Sequence, residues 1–348
     1  MTDIHKARVR AVAGLFIAVW FLAGLWVPGR AEAGVLEAAR ERGQVVCGVS
    51  ETRDGLSAVD GNGRWSGIEI EFCGALAAAV FGDRAKVKFR AVTTAEAPRA
   101  LSSGDVDVLL AATAWTLSRE AELGMRWAGV LFHDGQGLLI QRAFGVSSVF
   151  ELSGASICVQ KGTGAQEGVA EFFKRLQMPY QLVVAEKWDE VVKAYGDGQC
   201  TLLTSDLSIL AFERSRMANP ADHIFLPEPM SQELLGPMVR QGDENWFNIV
   251  RWTLLALIEA EQLGLSSADV TDRLASTDDR VRRFLGQDAA LGPGLGLAAD
   301  WTVNVISQVG NYGEIFDRTL GEGSKLKLSR GANNLWNKGG LLTSPSFR

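Results

Sequence analysis

Arg119 and Asp206 are two oppositely charged side chains that each follow a strand-like segment. Arg119 lies in "AATAWTLSRE" (111–120), directly after "DVDVLL" (105–110). Thr116 can cap the helix that follows, and free amides at a helix N-terminus together with a guanidinium favour a carboxylate. An ordinary capped helix start in solvent has the same pattern, so both interpretations of this stretch remain open.

Asp206 ends the strand-like run "TLLTSD" (201–206). A carboxylate at the carboxyl end of a strand could receive an ammonium group, although an aspartate in this position could equally cap the next helix. If Arg119 and Asp206 faced each other from two lobes, they would together select a zwitterion. Such a ligand would bridge the lobes and stabilise their closure.

A glycine-rich segment, "GTGAQEG" (162–168), also follows a strand-like run and opens a helix. Together with Glu186 it is similar to a dinucleotide fingerprint, but the spacing is GxGxxxG rather than GxGxxG. Glycine-rich strand-to-helix turns are common without a nucleotide. The N-terminal segment described below also predicts export, and an exported protein has little access to NAD. We therefore expect no cofactor, and we expect the Thr163 hydroxyl and nearby amides to contact the ligand directly.

Catalysis and metal binding have little support in the motifs. Outside the N-terminal segment the only histidines are His133 and His223, and the chain contains neither GxSxG nor HExxH. Most tryptophans fit apolar helix faces, whereas Trp115 lies at a strand end and could line a ligand pocket. Glu51 and Glu96 could be proposed as general acids, but neither lies in a diagnostic motif.

The N-terminal 33 residues have the pattern of a secretory signal peptide. A basic stretch, "MTDIHKARVR", precedes an apolar run at residues 11–27 and the small-residue site "AEA" at residues 31–33. This order predicts cleavage after Ala33 and a periplasmic location, with a retained membrane anchor as the alternative.

Composition limits the remaining classes of function. The formal net charge is −6, with mixed charges along the chain, which argues against a nucleic-acid-binding surface. The four cysteines, an even number in an exported protein, suggest two disulfides, and three pairings are possible. If each lobe folds alone, the pairs are Cys47–Cys73 and Cys158–Cys200; four free thiols are the alternative.

Strand-like and helix-like segments alternate in two units, which predicts an α/β fold with parallel sheets. In "SGIEIEFCGALAAAVFG" (66–82), Ile68, Ile70 and Phe72 alternate before an alanine-rich helix that Gly82 would end. Extended runs near residues 134–144 and 223–242 would cross between the lobes. We predict residues 34–138 as the first part of lobe 1, 139–230 as lobe 2, and 231–348 as a return to lobe 1 with a C-terminal helical extension.

Several segments together resemble a known family. The chain is similar to the periplasmic solute-binding proteins, family 3, of polar amino-acid ABC importers, in particular to the branch of general L-amino-acid-binding proteins. The resemblance covers nearly the whole chain after residue 33 and rests on "VVCGVS", "WSGIEIEFCGALAAAVFGD", "AWTLSRE", "FHDGQG", "CVQKGTG", "GQCTLLTSD", "LGPMVRQGDENWF", "VGNYGEIFDR" and "LWNKGGL".

The resemblance implies a type II, two-lobe Venus-flytrap fold with two interlobe crossings. It also implies an L-amino-acid ligand, no enzyme activity, and an inner-membrane permease with its ATPase as partner; we expect a monomer. Carried over by position, Thr116 and Arg119 would bind the ligand carboxylate, Asp206 its ammonium group, and Thr163 would supply a contact from lobe 2. The cysteine positions also match the branch and support the two intralobe pairs.

One departure from the family concerns ligand preference. Similar proteins have an arginine and a threonine where this chain has Ala111 and Ala114, so Ala111, Ala114 and Trp115 suggest a pocket for apolar or medium-sized side chains. Two alternative functions are an exported cyclohexadienyl (arogenate or prephenate) dehydratase-like enzyme and a ligand-sensing protein that docks on a receptor.

Overall fold

The computed structural model describes residues 34–93, 95–287 and 291–348; the predicted signal peptide at residues 1–33 lies outside these ranges. The strands are β1 (Val45–Val49), β2 (Thr52–Arg53), β3 (Ser57–Val59), β4 (Trp65–Ser66), β5 (Val87–Ala91), β6 (Val108–Leu109), β7 (Met125–Trp127), β8 (Phe132–Asp134), β9 (Gln136–Gln141), β10 (Ala155–Gln160), β11 (Tyr180–Ala185), β12 (Leu202–Asp206), β13 (His223–Phe225), β14 (Glu233–Leu235) and β15 (Met238–Arg240).

The α-helices lie mostly between the strands or after the last of them. They are α1 (Val35–Arg42), α2 (Ile68–Phe81), α3 (Ala97–Ser102), α4 (Leu117–Glu122), α5 (Gly164–Arg175), α6 (Trp188–Gly196), α7 (Leu207–Arg216), α8 (Glu244–Gln262), α9 (Asp279–Phe284), α10 (Leu291–Gly294), α11 (Trp301–Val309) and α12 (Tyr312–Thr319). Short 3₁₀ helices lie at Arg142–Phe144, Val149–Glu151, Pro220–Asp222, Asp272–Ala275, Gly331–Asn333 and Trp336–Lys338.

Two five-stranded sheets have the same internal arrangement. In the first, of order β5-β1-β6-β15-β7, β1 is parallel to β5 and β6, whereas β15 is antiparallel to β6 and β7. In the second, of order β11-β10-β12-β9-β13, β10 is parallel to β11 and β12, and β9 is antiparallel to β12 and β13. Each sheet with its helices is called a lobe below.

The chain passes between the lobes twice, through β8 and β14. These two strands pair in antiparallel register, with Asp134 opposite Glu233 and Phe132 opposite Leu235. The predicted α/β fold of two lobes joined by two crossings is therefore confirmed. The segment boundary predicted between residues 138 and 139 falls inside β9, and the one between 230 and 231 falls between β13 and β14.

Helix α2 begins earlier than the alternation of Ile68, Ile70 and Phe72 suggested. These three side chains and Glu69 are all buried, so both sides of the first turn face protein and the alternation does not mark a strand. The helix starts after Gly67, where a Cβ would lie 2.1 Å from the Leu56 carbonyl oxygen and φ is 125°. Gly82 ends it in the left-handed conformation, as the sequence predicted.

The C-terminal helices complete the core of the first lobe. The apolar residues of α8 at four-residue spacing, Trp246, Val250, Leu254 and Ile258, are buried as predicted, in one cluster with residues from α2, α11 and α12. Near the end of the chain, Phe347 contacts the rings of Trp252, Phe284 and Trp301. The extension is thus packed onto the lobe rather than separate from it.

The four cysteines form two disulfides, each within one lobe. Cys47 of β1 pairs with Cys73 of α2, with Cα atoms 6.4 Å apart. Cys158 of β10 pairs with Cys200, which precedes β12, with Cα atoms 5.7 Å apart. Both intralobe pairs are therefore confirmed, and the four-thiol alternative is wrong.

Candidate ligand-binding site

Asp206 ends β12 and directly precedes α7, but its side chain does not cap that helix. Instead the Asp206 Oδ2 atom lies 3.3 Å from the Nη2 atom of Arg53 in β2. Arg53 Nη2 is also 3.4 Å from the Ser208 hydroxyl in the first turn of α7. Because β2 adjoins the first lobe through β3 and α2, Asp206 takes part in an ion pair between the lobes.

Asp206 and Thr163 line one cavity of about 450 Å³. Thr163 precedes α5, and its hydroxyl donates to the Gln160 carbonyl oxygen at 2.8 Å. Both residues lie at the carboxyl ends of parallel strands, β12 and β10, where open α/β sheets bind ligands. The other lining residues are Gln136, Gln160, Gly164, Ala165, Glu167, Gly168, Glu171, Trp188, Thr204, Ser205, Ile209, Ser231 and Glu233.

The predicted residues of the first lobe lie beside this cavity but do not line it. Thr116 caps α4 by accepting the Arg119 N–H at 3.4 Å, and Arg119 Nη1 donates to the Ala114 carbonyl oxygen at 2.6 Å. The Trp115 N–H donates to the Leu234 carbonyl oxygen at 2.8 Å. Trp115, at the start of this segment, is therefore held against β14, one residue from the cavity-lining Glu233.

Trp115 and Ala114 take up local contacts in this arrangement. Trp115 is 39% exposed, and its ring stacks on Trp127 with ring centroids 6.2 Å apart, while its indole N–H donates to Glu120. Ala114 forms an isolated antiparallel bridge to Leu235. Thus the structure brings Thr163 and Asp206 into one cavity, and it places Ala114, Trp115, Thr116 and Arg119 along its first-lobe edge.

Three carboxyl groups, Asp134, Asp206 and Glu233, lie close enough to influence one another. Burial raises the pKa of Asp134 to about 6, and the Asp206 charge adds to this, although hydrogen bonds from Ser208 and the Gly135 N–H oppose the shift. Burial raises the pKa of Glu233, as do the charges of Asp206 and Asp134. The guanidinium groups of Arg53 and Arg119 act in the opposite direction on Glu233 and partly balance the cluster.

Glu69 supports the loop that leads to the predicted carboxylate-binding segment. Its buried carboxylate accepts the Ser57 hydroxyl at 2.6 Å and the Ala112 N–H at 2.8 Å, and burial raises its pKa. Ala111 and Ala112 have φ of 42° and 47°, a conformation that costs a non-glycine residue free energy. The hydrogen bond from Ala112 fixes this strained turn after β6.

Four charged residues near the site had no signal in the sequence motifs: Arg53, Glu69, Asp134 and Glu233. Arg53 lies in the short strand β2, and Glu69 lies in the first turn of α2, where the alternation in the sequence predicted no helix. Asp134 and Glu233 lie in the crossing strands. The extended crossings could have suggested the last two, because a carboxylate in an interlobe segment must lie near the cleft.

A larger cavity, of about 710 Å³, lies elsewhere along the crossing strands. Its walls include Phe132, Asp134, Arg175 and Arg330, and none of the residues predicted to bind the ligand. The smaller cavity lies at the carboxyl ends of β10 and β12 and is therefore the candidate ligand site despite its size.

Within the described part of the chain, no cluster of three or more histidine, cysteine or acidic side chains could hold a metal ion. None of the helices in the described residues is both long and apolar enough for a membrane span.

Two α/β lobes, two crossing strands and a polar cavity at the strand ends define a class of two-lobed solute-binding proteins. Residues 45–264 match the family model of bacterial extracellular solute-binding proteins, family 3, and the chain belongs to this family. The predicted family is thereby confirmed.

Similar proteins support the same class. The chain is 46% identical over 320 residues to the general L-amino acid-binding periplasmic protein AapJ of Rhizobium johnstonii, covering 91% of this chain and 94% of that protein. It is 42% identical to the glutamate/glutamine/aspartate/asparagine-binding protein BztA of Rhodobacter capsulatus, covering 92% and 96%. A solved ABC-transporter periplasmic binding protein from Brucella ovis, with glutathione bound, has a TM-score of 0.78 and 44% identity, covering 91% of this chain and 100% of that one.

Proposed function

We propose that this protein binds an L-amino acid in the cavity of about 450 Å³ and delivers it to an ABC importer. The observation that carries the proposal is the position of Asp206 and Thr163 in that cavity, at the carboxyl ends of parallel strands of the second lobe. The similarity to AapJ and BztA, both named as amino-acid-binding proteins, supports it.

In this proposal each predicted residue has a chemical role. Asp206 accepts the ligand ammonium group, and Thr163 with the amides at the start of α5 contacts the ligand backbone. Arg119 and Thr116 contribute the carboxylate contact from the first lobe once the ligand draws the lobes together, with Trp115 and Ala114 bordering the side chain. The zwitterion thus contacts both lobes, so binding favours the closed arrangement.

The cavity walls also suggest a preference among side chains. Glu167, Glu171, Asp206 and Glu233 all line the cavity, and no arginine or lysine of the described part of the chain does. A ligand with an additional carboxylate would meet like charges on these walls. We therefore propose that neutral amino acids bind more tightly than glutamate and aspartate.

The remaining parts of the proposal concern cellular context. The protein acts in the periplasm after removal of residues 1–33, as a monomer, with an inner-membrane permease and its ATPase as partners and without nucleic acid. We propose that it has no enzyme activity. In support, Glu51 and Glu96, the candidate general acids, are not among the cavity-lining residues, and Glu96 accepts the Thr93 hydroxyl at 2.8 Å.

Calorimetric titration tests the ligand class. The protein is unfolded, dialysed to remove copurified ligand, refolded, and titrated with the twenty standard L-amino acids, with glutathione, and with D-enantiomers as the stereochemical control. We expect at least one L-amino acid to bind with micromolar Kd, about −8 kcal/mol, and to exceed its enantiomer. Absence of binding by every L-amino acid, or turnover of arogenate or prephenate, would contradict the proposal.

A further inference from the structure

Arg53 joins the two lobes at the edge of the proposed ligand site. It lies in β2, on the first lobe, and its guanidinium contacts Asp206 Oδ2 at 3.3 Å and Ser208 Oγ at 3.4 Å on the second lobe. The side chains of Arg53 and Asp206 are 28% and 27% exposed. An ion pair at this depth is partly shielded from solvent, so its effect exceeds that of a pair on the open surface.

The contacts of Arg53 continue to a crossing strand. The Ser208 hydroxyl, which Arg53 approaches, donates to Asp134 Oδ2 at 2.5 Å, and Asp134 Oδ1 accepts the Ser208 N–H at 3.2 Å. Asp134 lies in β8, opposite Glu233 of β14. The Arg53 guanidinium therefore contacts the first turn of α7, and hydrogen bonds between Ser208 and Asp134 join that turn to a crossing strand about which the lobes would move.

The carboxyl groups around Arg53 favour a cation at this position. Asp134, Asp206 and Glu233 are carboxyl groups on three elements of the site, and the Arg53 charge also acts on the buried Glu69. Arg119 is the other guanidinium that acts on Glu233. Without Arg53, the repulsion among these carboxylates would be offset mainly by Arg119, at the edge of the site.

Asp206 lines the cavity, whereas Arg53, which pairs with its Oδ2 atom, does not. The pair engages Oδ2, and among the described residues no hydrogen bond to Asp206 Oδ1 occurs. One carboxylate oxygen is thus occupied by the protein while the other is available to a ligand. An arginine in this position would orient the carboxylate rather than contact the ligand.

We propose that Arg53 is a positioning residue, which holds the Asp206 carboxylate for the ligand ammonium group and stabilises, before the ligand binds, the interlobe arrangement in which Asp206 lines the cavity. This inference rests on the proposed function of Asp206. A protein with a larger population of the binding-competent arrangement has a higher apparent affinity for every ligand of the site. Loss of Arg53 should therefore lower the apparent affinity for every ligand of the site by a similar factor.

The test compares three variants with the wild type. Arg53→Gln removes the charge, Arg53→Lys keeps a cation, and Arg64→Gln removes a charge from an exposed pair with Asp60 on the adjacent β3–β4 turn. Each is titrated with the twenty L-amino acids, and the ligand-free proteins are measured by small-angle X-ray scattering. We expect Arg53→Gln to raise Kd about three- to tenfold for every bound amino acid and to increase the ligand-free radius of gyration.

In the same experiment Arg53→Lys should recover most of the affinity, and Arg64→Gln should match the wild type. The inference is overturned if Arg53→Gln binds as well as the wild type, if Arg53→Lys is as weak as Arg53→Gln, or if ligand-free scattering is unchanged in Arg53→Gln. Absence of binding by the wild type would instead refute the proposed function, and the scattering comparison would still decide the interlobe role.

Discussion

Substitution of Asp206 by asparagine is the most direct perturbation of the proposed site. The change keeps the size of the side chain and removes the charge that would meet the ligand ammonium group. A hydrogen bond to a charged group contributes about 1.5–3 kcal/mol, and the 27% exposure of this side chain favours the lower part of that range. We expect a loss of about 1.5–2 kcal/mol, so Kd should rise about 10- to 30-fold.

The assay is calorimetric titration of the refolded protein with the amino acid that the wild type binds most tightly. Asp60→Asn is the matched control, because Asp60 is an exposed carboxylate paired with Arg64 and lies outside the cavity. The comparison with Arg53→Gln separates two effects. If Asp206 contacts the ligand, Asp206→Asn must weaken binding more than Arg53→Gln does.

A Kd for Asp206→Asn within twofold of the wild type would refute the ammonium contact. Equal losses for Asp206→Asn and Arg53→Gln would show that Asp206 acts only through the interlobe ion pair. Circular dichroism and thermal unfolding of the variant check that the fold is retained, since Asp206 is not the cap of α7 and its loss should not unfold that helix.

Three further predictions concern the same region. Arg119→Ala should weaken amino-acid binding by at least about tenfold in the same titration, and an unchanged Kd would exclude Arg119 from the carboxylate contact. Glu69→Ala should lower the free energy of unfolding by about 2–4 kcal/mol in urea denaturation, because the Ala112 N–H and the Ser57 hydroxyl lose their buried acceptor; a loss below about 1 kcal/mol would contradict this. Because the pKa of Asp134 is raised to about 6, the native state takes up a proton at this group at a higher pH than the unfolded state does. As the pH falls from about 7 to about 5, the free energy of unfolding of the wild type should therefore rise by about 1 kcal/mol relative to that of Asp134→Asn. Urea denaturation curves of the two proteins that shift in parallel with pH would disprove this sign.

Local sequence signals predicted most of the architecture. The structure contains three features that depend only on neighbouring residues. They are the alternation of strands and helices, the glycine at the end of α2 and the four-residue spacing in α8. Helix α2 was the exception at its start, because burial of Glu69 removed the polar face that helical periodicity requires.

Local sequence patterns could not predict the charged contacts of the site. Arg53 and Asp206 are separated by 153 positions, so their pairing depends on how the lobes meet and not on local pattern. Arg119 was predicted from a motif and lies at the edge of the candidate site, but no local pattern indicates that its guanidinium donates to the Ala114 carbonyl oxygen of its own segment. The left-handed conformations of Ala111 and Ala112 were likewise hidden, because alanine rarely adopts them.

The two disulfides have a mechanical consequence. Cys47–Cys73 and Cys158–Cys200 each close a loop inside one lobe, so neither disulfide links the two lobes across β8 and β14. Formation of both disulfides would make each lobe more rigid as a body while leaving the rotation between the lobes under non-covalent control. Reduction should therefore lower the unfolding temperature of the protein without changing how far the cleft can open, and the strength of ligand capture should depend on contacts such as Arg53–Asp206 rather than on the redox state.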